Sequence, residues 1–170
     1  PKQGSLVLAL QPLFEEAKNR ATVSSDPIAE NKAALLALSK LYGGDQLLAL
    51  IDANPAQLLV LAPKPYSIYR RLDLAQHYVL SAGLTLIADE SLAELIGIDK
   101  EMSDLMSGRK MSAWDLMADR AGVRLAENAT RSAKRARELQ IALSRVKSDQ
   151  DILPDLAKDF AFSEDSFRPE

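Results

Sequence analysis

The 170-residue sequence contains no cysteine, which removes disulfides, thiolate nucleophiles and cysteine-ligated zinc or iron–sulfur centres from consideration. Its one histidine, His77, excludes any site built on two imidazoles, the HExxH type included. None of the seven glycines falls into a P-loop or GxGxxG pattern, so phosphate cradles of those kinds are not expected. The longest apolar stretches (Leu6–Leu10, Leu58–Ala62 and Tyr78–Ala88) are well short of the roughly 20 residues that a bilayer-spanning helix needs. Aromatics are only 5 %, while Leu and Ala together supply 53 residues. That bias favours helix over strand, because Leu and Ala lose little on entering a helix. The apolar fraction of 47 % and charged fraction of 26 % are ordinary for a globular chain. The length is that of one domain able to bury roughly 70 % of its unfolded surface without a staple. A chain that begins at Pro1 rather than Met is expected to be a processed or trimmed product.

The net charge of −3 implies no partner by itself, but the charges are unevenly placed. Eight basic residues (Arg120, Arg124, Arg131, Lys134, Arg135, Arg137, Arg145 and Lys147) face two acids, Glu127 and Glu138, between 120 and 147. From 148 to 170 the balance reverses, with seven acids against Lys158 and Arg168. A basic helix followed by an acidic tail points to a tail folded back on that helix. Missing interleaved aromatics and a pI near 5.3 argue against nucleic acid as the partner.

Helical spacing of Leu6, Leu10, Leu13, Phe14 and Ala17 predicts a helix over 5–22, its regular part starting near Gln11 because of Pro12. Val23–Asp26 reads as a loop, and Asp26-Pro27 as an N-cap and first-turn proline opening a helix to Tyr42. Gly43-Gly44 is expected to end that helix, with a short third helix over Asp45–Asp52. An extended segment is expected between Pro55 and Pro65. Helices are predicted over Leu72–Ile87 and Asp89–Met106, the second broken near Gly97. Ser112-x-x-Asp115 has capping-box spacing and opens a helix whose apolar stripe, from Trp114 to Leu143, continues for about thirty residues. An irregular tail follows, with Phe160, Phe162 and Phe167 expected to dock on the body. The sum is one all-α domain over 1–170, a bundle of about six helices with a motif core at 73–122.

That core holds the candidate chemistry. Asp73, His77 and Ser81 lie at i, i+4 and i+8 and share one helix stripe. Their order tempts a Ser–His–Asp reading, but a nucleophilic serine needs free oxyanion donors, and mid-helix amides are already bonded. Lys100, Glu101 and Asp104 follow on the next helix. Asp115 and Asp119 share a face of the last long helix, followed by Arg120. If these faces meet, up to four carboxylates converge around His77. Two carboxylates about 5 Å apart repel by roughly 3 kcal/mol at an effective dielectric of about 20. A divalent metal, shared protons or the nearby cations Lys100, Arg109, Lys110 and Arg120 must relieve them. A metal would be held by His77, Glu101, Asp104 and Asp119, an oxygen-rich set suited to Mg, Mn, Ca or a mixed O/N transition-metal site. In a hydrolytic site Glu101 or Asp119 would be the general base and His77 an acid or ligand. Asp73, Ser81, Lys100, Asp104, Asp115 and Arg120 would line the ligand. The alternative is a structural network in which Asp115 only caps its helix and the other acids form ordinary ion pairs.

The pattern Asp73-Leu74-Ala75-Gln76-His77-x3-Ser81-Ala82, then Gly97-x2-Lys100-Glu101-x2-Asp104, then Ser112-x2-Asp115-Leu116-x2-Asp119-x2-Gly122 resembles one in an uncharacterised family of secreted bacterial proteins. It is more distantly similar to YfiM-type periplasmic lipoproteins and to the VanZ-like membrane family, where a histidine also precedes an acidic pair and a Ser-x-x-Asp helix start. Glu30-Asn31-Lys32 and the tail 151–167 resemble the secreted group as well. Those relatives carry a Gly-Ser-Gly-Phe-Ser-Phe loop before the last helix. Here Ser107-Gly108-Arg109-Lys110-Met111-Ser112 keeps one glycine and the helix-start serine and gains two cations. The resemblance implies a bacterial envelope protein, periplasmic or secreted, and no particular reaction. Two readings stand: a polar His/Glu/Asp site for a divalent metal or a small envelope-derived ligand, and a non-enzymatic helical module that binds an envelope protein.

Overall fold

A computed structural model describes residues 4–51, 66–88 and 112–154, with backbone alone over 43–51. The described residues are all-α: α1 (Val7–Ser24), α2 (Pro27–Ile51), α3 (Leu72–Ala88), α4 (Ala113–Thr130), α5 (Ala133–Leu143) and a short 3-10 turn at Asp149–Asp151. α2 packs against each of the other four helices, and the most extensive pairing is α3 with α4. Phe14, Leu10, Leu35, Leu74, Leu80 and Leu153 are among the fully buried side chains between them.

Asp26 and Pro27 open α2 as expected, with the Asp26 carboxylate accepting from the Ala29 amide at 3.0 Å. Several element boundaries differ from the expectation. α1 starts at Val7 rather than near Gln11, runs through Pro12 and continues to Ser24, so that only Ser25 and Asp26 remain of the expected loop at Val23–Asp26. The donor that proline lacks would have served the Leu8 carbonyl, and Leu8 is 61 % exposed, so water can serve it instead. α2 continues through Gly43-Gly44 to Ile51 and absorbs the expected short third helix. Each glycine costs about 1 kcal/mol against alanine but ends a helix only where the chain turns left-handed. The long last helix is two helices, because Ser132 caps a new start by accepting from the Arg135 amide. The alanine stripe hid this break, since Ala129 and Ala136 are both fully buried on either side of it. The predicted elements over 55–65 and 89–106 and the docking of Phe160, Phe162 and Phe167 lie outside the described residues.

The chain ends of the described body are knotted together beside α3. Leu6 donates to the Ser67 carbonyl and Ser67 to the Gly4 carbonyl, both at 2.8 Å. Asp149 accepts from the Ser5 hydroxyl and, at 2.7 Å, from the Tyr69 amide. Tyr69 and Arg70 both have positive φ, 52° and 62°, as the inner pair of a type I′ turn requires. Non-glycine residues there cost on the order of 1–2 kcal/mol each. The turn is held by the Tyr69 hydroxyl donating to the Leu153 carbonyl at 2.6 Å and by the Tyr69 ring meeting Trp114 edge-on at 5.8 Å.

Candidate functional site

α3 and α4 lie side by side and run in broadly the same direction, since Asp73 shares a partner with Asp115, His77 meets Asp119, and Tyr78 meets Gly122. Small residues permit this close approach: Ala82, Ala118 and Ala126 are buried, and Gly122 has no room for a side chain. Two polar rungs therefore form between the helices.

The first rung is built on Arg71. Its guanidinium donates to Asp73 at 2.7 Å and to Asp115 at 3.2 Å, and so bridges α3 to α4. The adjoining guanidinium holds the Asp73 carboxyl below the usual carboxylate range. Asp115 is buried and also completes the expected capping box, accepting from the Ser112 amide at 2.8 Å while its own amide donates to the Ser112 hydroxyl at 3.2 Å. Sequence reasoning missed Arg71 because it sits in the left-handed turn before α3, outside any periodic element. The available signal was a cation two residues before a first-turn aspartate.

The second rung is built on Asp119, whose Oδ1 accepts from the Ser81 hydroxyl at 2.7 Å and pairs with His77 Nδ1 at 3.0 Å. An ionised carboxylate only accepts, so Nδ1 carries the proton and Nε2 is the variable nitrogen. Nε2 has no partner among the described residues. His77 is largely buried, its side chain 11 % exposed, but no fully buried side-chain nitrogen or oxygen among the described residues lacks a partner, so Nε2 keeps some contact with solvent. This geometry removes the Ser–His–Asp reading: the aspartate lies between serine and histidine, so Ser81 has no base to activate it. The Asp119 hydrogen bond raises the His77 pKa, burial opposes it, and the charges of Asp119, Asp115 and Asp73 add to the rise.

Arg71, Asp73, Asp115, Asp119 and a protonated His77 leave one negative charge in excess, and two once the imidazole is neutral. Arg120 is exposed and has no hydrogen bond or ion pair to these residues. Lys100, Glu101, Asp104, Arg109 and Lys110 lie outside the described residues. Among the described residues no three of His, Asp and Glu form a metal-ligating group, so two members of the expected metal set, His77 and Asp119, are placed together and two are not described. No described helix is long and apolar enough to cross a membrane.

The raised His77 pKa has a consequence for stability. The stabilisation from the His77–Asp119 pair is full below the unfolded-state value of about 6.5 and is lost as pH rises through the higher folded value. Melting temperature should therefore decline above about pH 6.5 more steeply in the native chain than in His77→Gln. The single imidazole gives one resolvable NMR titration. Its midpoint should lie above the ordinary value and fall in Asp119→Asn, where only the charges of Asp115 and Asp73 still oppose burial. A native midpoint at or below the ordinary value would contradict the pairing.

Comparison with known proteins returns no matching family model, no matching curated protein and no matching solved structure.

Proposed function

We propose that the chain is a bacterial envelope protein, periplasmic or secreted, whose His77–Asp119 rung binds a divalent metal or a small cationic envelope-derived ligand at His77 Nε2. The envelope setting rests on the sequence resemblance alone. The observation that carries the site is an oriented, largely buried imidazole whose Nε2 has no partner among the described residues, inside a cluster with more acids than bases. Carboxylate-oriented imidazoles are well suited to ligation, because the partner fixes the tautomer and raises the basicity of the free nitrogen. In this reading Asp119 is a positioning residue, Asp73 and Asp115 set the local negative potential, and Glu101 and Asp104 complete an oxygen-rich donor set. Should a bound ligand be turned over, His77 and Glu101 are the groups to exchange protons with it.

Protein stripped with chelator and titrated with Zn²⁺, Mn²⁺ and Mg²⁺ tests this. One equivalent of one ion should perturb the His77 ring resonances and raise the melting temperature, with affinity falling about tenfold or more in Asp119→Asn. If no ion does so, a small-cation screen by thermal shift is the second arm, and failure of both removes the site.

A second reading is favoured by the internal satisfaction of the cluster: Arg71 serves two aspartates, and Ser81 and His77 serve the third. In that case the cluster specifies how α3 sits on α4 in a helical module that docks on an envelope protein. Asp119→Asn would then lower the melting temperature while no ligand raised it.

A further inference from the structure

On the side of the bundle where α4, α5 and the turn after α5 meet lies an open groove of about 570 Å³. Its floor is apolar, formed by Leu125, Leu139, Leu143, Val146 and Ile152. Its rim carries three cations, Arg124, Arg145 and Lys147, and all three are exposed. The one acid on the lining, Asp151, is engaged locally: its carboxylate accepts from the amides of Lys147 and Ser148 at 2.8 and 2.9 Å. The other two nearby acids do not neutralise this rim either. Glu138 pairs with Arg135 at 3.2 Å and Lys134 at 4.0 Å, and Glu127 does not line the groove. An open apolar floor rimmed by cations suits an occupant with apolar side chains interspersed among acids.

The last sixteen residues of this chain, 155–170, have that composition. They contain Asp155, Asp159, Glu164, Asp165 and Glu170 against Lys158 and Arg168, and three of the four phenylalanines of the whole sequence, Phe160, Phe162 and Phe167. The described chain stops at Pro154, two residues after Ile152 of the groove floor. Sixteen residues reach up to roughly 50 Å, so tethering keeps the segment at high local concentration beside the groove. We infer that the acidic, phenylalanine-bearing segment 155–170 docks in the α4–α5 groove, with its phenylalanines on the floor and its acids against Arg124, Arg145 and Lys147. The segment is then a built-in occupant that an acidic partner would have to displace, which makes the groove an exchangeable interaction surface independent of the His77 cluster.

Amide hydrogen exchange on the full chain tests the contact. At low salt the amides of 155–170 should exchange about tenfold or more slowly than those of the free peptide of the same sequence. The charge reversals Arg124→Glu and Arg145→Glu, both at exposed positions, should abolish that protection. Adding Asp159→Lys and Asp165→Lys to the reversed chain should restore it. Phe160→Ser with Phe162→Ser should abolish it in the unreversed chain, and salt near 0.5 M should weaken it, since the Debye length is then only about 4 Å. Exchange at the free-peptide rate in the native chain overturns the proposal, as does protection unchanged by the charge reversal. Binding of an anionic amphiphile such as laurate in the groove with no change in tail exchange also overturns it, because the groove then belongs to another occupant.

Discussion

Gly122→Ala is expected to lower the melting temperature by roughly 4–8 °C, corresponding to about 2 kcal/mol for a chain of this size. Intrinsic preference points the other way, since alanine stabilises a helix interior by about 1 kcal/mol relative to glycine. Packing overrides it. A Cβ at position 122 of α4 would stand 2.1 Å from the Tyr78 carbonyl oxygen of α3 and 3.1 Å from the Ala82 amide nitrogen. Both are backbone atoms of a hydrogen-bonded helix, so no rotamer change can make room, and the two helices must separate by more than 1 Å at that point. Overpacking of this kind costs typically 1–3 kcal/mol and occasionally more; here about 3 kcal/mol gross leaves about 2 net. The separation also pulls Asp119, one turn before Gly122, away from His77 and Ser81. The variant should therefore show a lower His77 titration midpoint together with the lower melting temperature. An unchanged or raised melting temperature would mean that α3 and α4 do not approach at this glycine.

The same crossing explains which parts of the site were legible in the sequence. Spacing alone put Asp73, His77 and Ser81 on one stripe and Asp115 and Asp119 on another, and both stripes exist. Ser112-x-x-Asp115 announced the start of α4, and α3 spans the predicted residues with one added at its end. Which acid meets which base was not legible, because that depends on the register of two helices far apart in sequence. The register is set by Gly122 against Tyr78, and nothing local to either helix encodes it. Arg71 escaped for a related reason: two consecutive left-handed residues, Tyr69 and Arg70, turn it into the cluster. Neither residue type announces such a turn as Asn-Gly would. The break at Ser132 was visible as a capping serine but was outweighed by an alanine periodicity that continues across it. The Glu30-Asn31-Lys32 triplet, noted only as part of a resemblance, has a physical meaning in the fold. Glu30 pairs with Arg20 at 2.7 Å, and Asn31 is fully buried.

That buried asparagine carries the second large effect, and Asn31→Leu is expected to cost about 3 kcal/mol. Its side chain joins three helices. Nδ2 donates to the Ala129 carbonyl in the last turn of α4, at 3.3 Å, and to the Ala136 carbonyl of α5, at 3.1 Å. Oδ1 accepts from Gln140 Nε2 of α5 at 2.8 Å. A carbonyl in the last helical turn has no partner within its own helix, so Asn31 supplies to Ala129 what the break at Ser132 took away. Leucine has the same branched skeleton with bulkier methyls in place of the amide atoms and leaves no cavity, so most of the loss falls on the hydrogen bonds. Gln140, only 1 % exposed, is left with an unpaired amide, and the Ala129 carbonyl is left bare. Each such group costs about 1–3 kcal/mol. Gln140→Leu alone should cost less, about 1–2 kcal/mol, because it orphans only Asn31 Oδ1. In Asn31→Leu with Gln140→Leu the two side chains meet as apolar neighbours, and the total should fall short of the sum of the single costs by about 1–2 kcal/mol. Urea unfolding of the four proteins measures this, with equal slopes required for the comparison. Strict additivity, or an Asn31→Leu chain as stable as the native one, would show that the asparagine does not hold α2 against the α4–α5 junction.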